Sequence, residues 1–345
     1  MITNPGFKRI AAEEAFVTKD IARGYRDLLA RKASDDIGFN SLMGYYLTNP
    51  SERTRAVAER LEDLGSRRLA DMDASGVDVQ ILSLTSPGVQ IFDAETGTSL
   101  AQAANDELAA AVAAHPARFA GLAAIAPQNP AAAAKELERA VTRLHLKGAI
   151  VNSHTQGEYL DDEKFWDIFA AAESLDVPIY LHPNTPSNAM IRPFMDRGLD
   201  GAVFGFAVET GLHALRLVVS GVFDRFPRLQ IVLGHLGEAL PYWLFRIDFM
   251  HGASVRSKRY TSQPALRRQA SAYLKENFHY TTSGMAWTPP ILYAQSVLGI
   301  DRVTYAMDYP YQFVPEEVCV TDALPLGYED HKAFYQTNAE RLFKL

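Results

Sequence analysis

Strand-like and helix-like segments alternate along this chain from one end to the other. Eight short apolar runs carry the strand signal: RIAAEEAF (9–16), VDVQILSL (77–84), RFAGLAAI (118–125), LKGAIVNS (146–153), VPIYLHP (177–183), LQIVLGH (229–235), FHYTTS (278–283) and VTYAMDYP (303–310). Most are continuously apolar rather than alternating, and rich in Val and Ile, as parallel strands covered on both faces should be. Between them lie segments with apolar residues at helical spacing: 52–75, interrupted at Gly65, then 99–114, 130–142 with Pro130 in its first turn, 161–175, 209–223, 291–298 and 328–343. A βα unit repeated eight times predicts one closed (β/α)8 barrel, the TIM-barrel class of α/β fold, as a single domain over residues 1–345. Two stretches exceed the minimal barrel. Residues 184–208, with several Asn, Pro and Gly, read as a long loop over the upper face. Residues 241–276, aromatic and carrying Arg246, Arg256, Lys258 and Arg259, read as helices that in part pack against another subunit.

A barrel of this kind builds its site from the C-terminal ends of its strands. Four of the runs end there in a chemically useful residue: Glu13, His182, His235 and Asp308. Two carboxylates and two imidazoles suit a divalent ion with one imidazole left for proton transfer. Glu13 and Glu14 are adjacent, so they point to opposite sides of a strand and only one faces the axis easily. Glu13 is taken as the ligand; Glu14 is assigned to a neighbouring loop or a packed base. Glu238 lies three residues after His235 and shares its side if a helix begins near Gly237. A carboxylate on one ring nitrogen would fix the tautomer and raise the basicity of the other. Asp308, buried near a metal and a histidine, is expected to be partly protonated and so fit to act as a general acid. For the substrate, Arg53 and Arg246 are candidates to clamp a carboxylate, although most arginines simply lie on the surface. Phe204, Phe206, Trp287 and Tyr311 are candidates to line a flat slot for an aromatic ring, against core packing as the plain alternative.

Composition removes competing classes. With 34 basic and 41 acidic residues the formal charge is −7, and no broad basic surface for nucleic acid is implied. The single cysteine, Cys319, excludes an internal disulfide or thiolate cluster and reads as a small buried hydrophobe. The N-terminus lacks the apolar stretch of a signal peptide, and no run is long and apolar enough to span a bilayer, so a cytoplasmic enzyme is expected. There is no GxGxxG after a first strand, no GxxxxGK[ST], no GxSxG and no HExxH.

Longer motifs carry a resemblance. IAAEEAF, YYLTNPSER, ADMDASG, LTSPGVQ, NSHTQGEYLDD, GFAVETG, GHLGEALPYW, YAMDYPYQ and the final QTNAERLFKL occur in an order that resembles the metal-dependent decarboxylase branch of the amidohydrolase superfamily, its carboxyvanillate type in particular. Members of the wider superfamily usually open with His-x-His at the end of the first strand. Here Glu13 stands at the first position and Ala15 at the second, a departure expected in the carboxyvanillate type. The resemblance implies one divalent ion, Mn2+ with Zn2+ as the alternative, held by Glu13, His182 and Asp308, and no organic cofactor. It implies His235 and Glu238 as a proton-handling pair, and Arg53, Arg246 and Tyr311 where substrate groups bind. The implied reaction is non-oxidative decarboxylation of an ortho-hydroxybenzoate, 5-carboxyvanillate first, with γ-resorcylate or 2,3-dihydroxybenzoate as alternatives. A metal-dependent hydrolase is a more distant alternative, and a metal-stabilised non-enzyme more distant still. Members of the family resemble dimers or tetramers, which implies at least a dimer.

Overall fold

The computed structural model describes residues 5–261 and 264–345. Nine parallel strands form its centre: β1 (Ile10–Phe16), β2 (Val79–Leu84), β3 (Phe119–Gly121), β4 (Ala123–Ala124), β5 (Ala149–Asn152), β6 (Ile179–His182), β7 (Ile231–Leu233), β8 (Phe278–Thr281) and β9 (Val303–Thr304). β3 and β4 are the two halves of the third run, divided at Leu122, whose N–H still donates to Leu82 O at 2.8 Å. Neighbours pair in sequence order, β1-β2-β3 and β4 to β9, as right-handed βα crossovers require. The circle closes where Ala12 N donates to Tyr305 O at 3.0 Å and Ala15 N to Tyr309 O at 2.7 Å. The eight-stranded closed barrel expected from the sequence is therefore the fold.

Two apolar layers follow from the pleat. Ile10, Ala12, Val79, Ile81, Ala120, Leu122, Ile150, Tyr180 and Val232 alternate inward, and Leu342 and Phe343 of the last helix (Asn338–Phe343) join them. A larger cluster packs the outer strand faces against the helices. Several helices start at side-chain caps: Asp36 accepts from Phe39 N, Ser51 from Thr54 N, Asp93 from Thr96 N and Asn129 from Ala132 N. The 52–75 segment is two helices, Glu52–Leu61 and Ser66–Ser75, parted at Gly65. Among the described residues, no helix is long and apolar enough to cross a membrane.

Several expectations need correction. The region between the first strand and Pro50 contains two helices not foreseen, Lys19–Arg31 and Ile37–Thr48. The second has no clean apolar stripe, because both of its sides are used. Gly38 and Phe39 are buried, and Leu42, Met43 and Tyr46 face a cavity. Cys319 is exposed rather than buried: its helix, Glu317–Asp322, turns Val318 and Thr321 inward. The 184–208 stretch holds a short helix, Arg192–Met195, and the next long helix begins at Gly205. The 241–276 stretch is helical as expected, with helices Leu240–Arg256 and Ala270–Glu276; residues 262–263 within it lie outside the described residues.

Arg68 ties the rim together without reaching solvent. Its guanidinium donates to Asp63 O, Gln80 Oε1, Ala15 O and Arg60 O and lies 4.6 Å from the Tyr309 ring centre. Removing it would leave four buried or half-buried acceptors without a donor, at about 1–3 kcal/mol each before relaxation. Arg68→Ala should lower stability by roughly 3–5 kcal/mol, as for other broken buried charge networks. Urea denaturation at neutral pH would test this; a midpoint equal to that of the unmutated protein would contradict it.

Candidate metal centre and active site

Glu13 faces the barrel axis because β1 contains a bulge. Ala11 pairs with Gln80 and Glu14 with Leu82, so three steps on β1 match two on β2. Strict alternation from Ile10 and Ala12 would have sent Glu14 inward. The bulge instead turns Glu13 inward. Its Oε2 accepts hydroxyl hydrogen bonds from Tyr180, Thr281 and Ser283. Its Oε1 is buried and has no hydrogen-bond partner. Gly234 leaves space for this carboxylate: a Cβ there would lie 2.6 Å from Glu13 Oε2.

The bare oxygen faces both imidazoles. His182 Nε2 is 3.4 Å from Glu13 Oε1, and His235 Nε2 is 3.9 Å from it. His182 Nδ1 is 2.9 Å from Pro183 O, a carbonyl that can only accept, so the proton sits on Nδ1 and Nε2 presents a lone pair. His235 Nδ1 is likewise 2.9 Å from Glu238 Oε1. Its Nε2 is 3.9 Å from Asp308 Oδ2. Glu13, His235 and Asp308 offer ligand atoms within 4.8 Å of one another, with His182 beside them. Four electron-rich atoms thus converge on one small volume. A divalent cation would fit that arrangement; among the described residues Glu13, His235 and Asp308 form the cluster that could hold one, with His182 3.4 Å from Glu13.

Without a cation the charges compensate one another. Burial works against the charge on Glu13, yet the His235 and His182 imidazoles overcome it and bring the carboxyl down to about 2. Burial also opposes a charge on His235, but the Glu238 and Glu13 carboxylates hold its pKa well above the usual histidine range. Burial raises the Asp308 carboxyl, with His235 pulling the other way. The direction for Asp308 is that of a group able to carry a proton.

The His235–Glu238 pair forms, but not on the expected helix. His235, Leu236, Gly237, Glu238 and Ala239 all have positive φ, between 51° and 85°, so the turn is left-handed. For the four residues with a Cβ this costs roughly 1–2 kcal/mol each. The turn rests on Ser283 Oγ, which accepts from His235 N, and on helix Leu240–Arg256 that follows. Such strain is typically retained where a side chain must be aimed.

Above these groups opens a cavity of about 160 Å³, comparable to one that accepts a benzene ring. His182, His235 and Asp308 line it together with Arg53, Thr85, Ala202, Phe206, Tyr311 and Gln312, and with Leu42, Met43 and Tyr46 from the unforeseen helix. Arg53 Nη2 donates to Tyr311 O, and the Tyr311 hydroxyl pairs with Thr85 Oγ1 at 2.6 Å. Phe204 and Trp287 are exposed outside this cavity. Arg246 does not line it either; it is exposed on helix Leu240–Arg256. The sequence reading missed Tyr180, Thr281 and Ser283. A signal existed, since Tyr180 is two residues before His182 and Thr281 two before Ser283, hence on one strand face.

The amidohydrolase family model matches residues 47–345. A 5-carboxyvanillate decarboxylase from Novosphingobium aromaticivorans, solved with manganese and a hydroxy-methoxy-nitrobenzoic acid, is 51% identical with a TM-score of 0.97, covering 99% of this chain and 97% of that one. A second, from Sphingomonas paucimobilis, is 42% identical with a TM-score of 0.92 over 98% and 99% of the two chains. A γ-resorcylate decarboxylase from Rhizobium radiobacter is 40% identical over 304 residues, 86% of this chain and 92% of that protein. The chain belongs to the amidohydrolase family. Within it, the chain falls in the metal-dependent decarboxylase branch.

Manganese should therefore stabilise the folded state. At free Mn2+ about 100-fold above its Kd the gain is about 2.7 kcal/mol, visible as a rise in melting temperature. Ser283→Ala and Tyr180→Phe each remove one support of Glu13 and should weaken Mn2+ binding about 10–100-fold by calorimetric titration. A cradle without influence on the ion would leave both affinities unchanged.

Proposed function

We propose that this chain is a cytoplasmic carboxy-lyase that removes CO2 from 5-carboxyvanillate, leaving vanillate. The observation that carries this reading is the set of electron-rich atoms around Glu13 Oε1, placed at the floor of a ring-sized cavity with Arg53 at its edge. The 51% identity to a 5-carboxyvanillate decarboxylase, against 40% to a γ-resorcylate decarboxylase, favours that substrate over its sisters.

Glu13, His182 and Asp308 would hold the ion, most suitably Mn2+. Bound there, it would supply Lewis-acid stabilisation of negative charge on the oxygens of an ortho-hydroxybenzoate. The assignment of His182 as ligand and His235 as proton-handling group follows their partners. His182 Nε2 is the nearer to Glu13 Oε1, whereas His235 has the Glu238 carboxylate behind it to stabilise a positive charge. Phe206, Leu42 and Met43 flank the ring. Arg53, braced on Tyr311 O, pairs with the second carboxylate, and Tyr311 closes the slot beside Tyr46. Asp308 delivers its proton to the ring carbon that bears the leaving carboxylate. The C–H bond forms, the C–C bond to CO2 breaks, and its electron pair restores the aromatic ring. His235 and Glu238 then help return a proton to Asp308.

The same reading includes a homo-oligomer. Tyr242, Phe245, Phe249 and Met250 form an apolar stripe on helix Leu240–Arg256, with Tyr242 74% and Phe245 84% exposed. Arg246 belongs to this stripe. It serves a substrate only from a second copy whose helix lies over the cavity.

Protein loaded with Mn2+ should convert 5-carboxyvanillate to vanillate, followed by the loss of 44 Da in mass spectrometry (a chemical mass difference of the order expected for CO2). Turnover of γ-resorcylate alone would move the substrate to a sister compound. Asp308→Asn should cost about 10²–10⁴ in kcat with the fold intact. His235→Asn should retain the ion with severely reduced turnover, while Glu13→Ala and His182→Ala should lose the ion first. Metal content and kinetics measured on the same preparations would reverse the two imidazoles if His235→Asn lost the ion and His182→Ala kept it. Light scattering should give at least two chains per particle; a monomer at working concentration would remove the role given to Arg246.

A further inference from the structure

Glu14 is fully buried and contributes no atom to the cavity. Its Oε1 accepts from Met307 N at 2.9 Å and its Oε2 from Tyr309 N at 3.2 Å. These are the amides on either side of Asp308. β9 ends at Thr304, so the stretch carrying Asp308 has left the regular ladder. What holds it to β1 is a bridge between Glu14 and Tyr309, the bond from Ala15 N to Tyr309 O, and the Glu14 carboxylate. Asp308 itself has φ 70°, a left-handed conformation that a residue with a Cβ adopts only when its surroundings impose it. Arg68 closes the clamp from behind, donating to Ala15 O and covering the Tyr309 ring.

Resting on the decarboxylase reading, we propose that Glu14 is a positioning residue that fixes Asp308 against the ion site and the reacting carbon. The two adjacent glutamates then divide one task across the β1 bulge. Glu13 presents an oxygen to the ion, and Glu14 holds the opposite strand end that presents Asp308. Both Glu14 oxygens accept, so an amide cannot replace them. In Glu14→Gln one N–H would face an NH2 donor, and the Asp308 turn would lose one of its two anchors.

The experiment is a double-mutant cycle on Glu14→Gln and Asp308→Asn, read by Mn2+ titration, steady-state kinetics and amide hydrogen exchange. In the Asp308 background, Glu14→Gln should weaken Mn2+ about tenfold and lower kcat at least about tenfold with KM within about threefold. In the Asp308→Asn background it should change Mn2+ affinity less than about twofold, because the group it positions is no longer the native carboxylate. Exchange should accelerate at Met307 and Tyr309 while the β5–β7 amides keep their protection. Equal losses in both backgrounds would mean general destabilisation and overturn the proposal, as would unchanged affinity and exchange. If Glu14→Gln does not fold, Glu14→Asp keeps the carboxyl group but shortens the arm, and the same selective pattern is expected. Affinity and exchange do not depend on which benzoate is used. A failed substrate assay beside an intact coupling would therefore retire the substrate and leave the positioning role standing.

Discussion

The Glu13 carboxylate is built so that one oxygen is saturated and the other starved. Three hydroxyls donate to Oε2, while Oε1 has no hydrogen-bond partner and faces the Nε2 atoms of His182 and His235. These groups, 3.4–3.9 Å apart in a buried site, are brought together by the scaffold at a cost in desolvation. A cation would take the place of the positive charge that His235, raised by the Glu238 and Glu13 carboxylates, otherwise supplies. The surrounding peculiarities serve that geometry. The β1 bulge selects which glutamate faces inward, Gly234 makes room for it, and the left-handed turn at 235–239 aims His235 while bringing Glu238 behind it.

Barrel closure and site assembly are consequently the same event. The bonds that join β1 to the last strand end, Ala12 N to Tyr305 O and Ala15 N to Tyr309 O, bracket Glu13 and Glu14 on one side and Asp308 on the other. A looser closure would separate the two carboxylates of the site before it opened the core. Strain at His235–Ala239 and at Asp308 is tolerated because the apolar layers on both strand faces are continuous, and Leu236 within the left-handed turn packs into the outer one.

Much of this was legible in the sequence, for definite reasons. Parallel strands announce themselves as short apolar runs, and a polar residue at the end of such a run is conspicuous, so Glu13, His182, His235 and Asp308 stood out together. Features that depend on phase or handedness did not. A one-residue bulge leaves no mark in IAAEEAF, and nothing in GHLGEAL distinguishes a left-handed turn from the first turn of a helix, apart from Gly237. Helix Ile37–Thr48 was invisible because its apolar residues serve the core and the cavity alike, which erases the one-sided pattern on which recognition rests. Arg246 and Cys319 show the reverse limit. Their residue types suggested a site and a core, but helix phase decided their exposure.

The protein's chemistry is narrowed as much by what stands at Ala15 as by the four converging side chains. The resemblance places Ala15 where the wider family has its second histidine. Here it offers only a methyl group, and its backbone is occupied on both sides, N–H to Tyr309 O and carbonyl to Arg68. That leaves Glu13 as the one carboxylate of the first strand facing the site and, among the described residues, no second cluster of candidate ligands. A hydrolase on this scaffold must generate and aim a nucleophile at a carbonyl. A decarboxylase of a hydroxylated ring needs something else: a group that carries a proton at neutral pH and is held rigidly over one carbon. Burial raises the Asp308 carboxyl, and its two flanking amides donate to Glu14. The geometry therefore favours giving a proton to carbon over delivering water to a carbonyl.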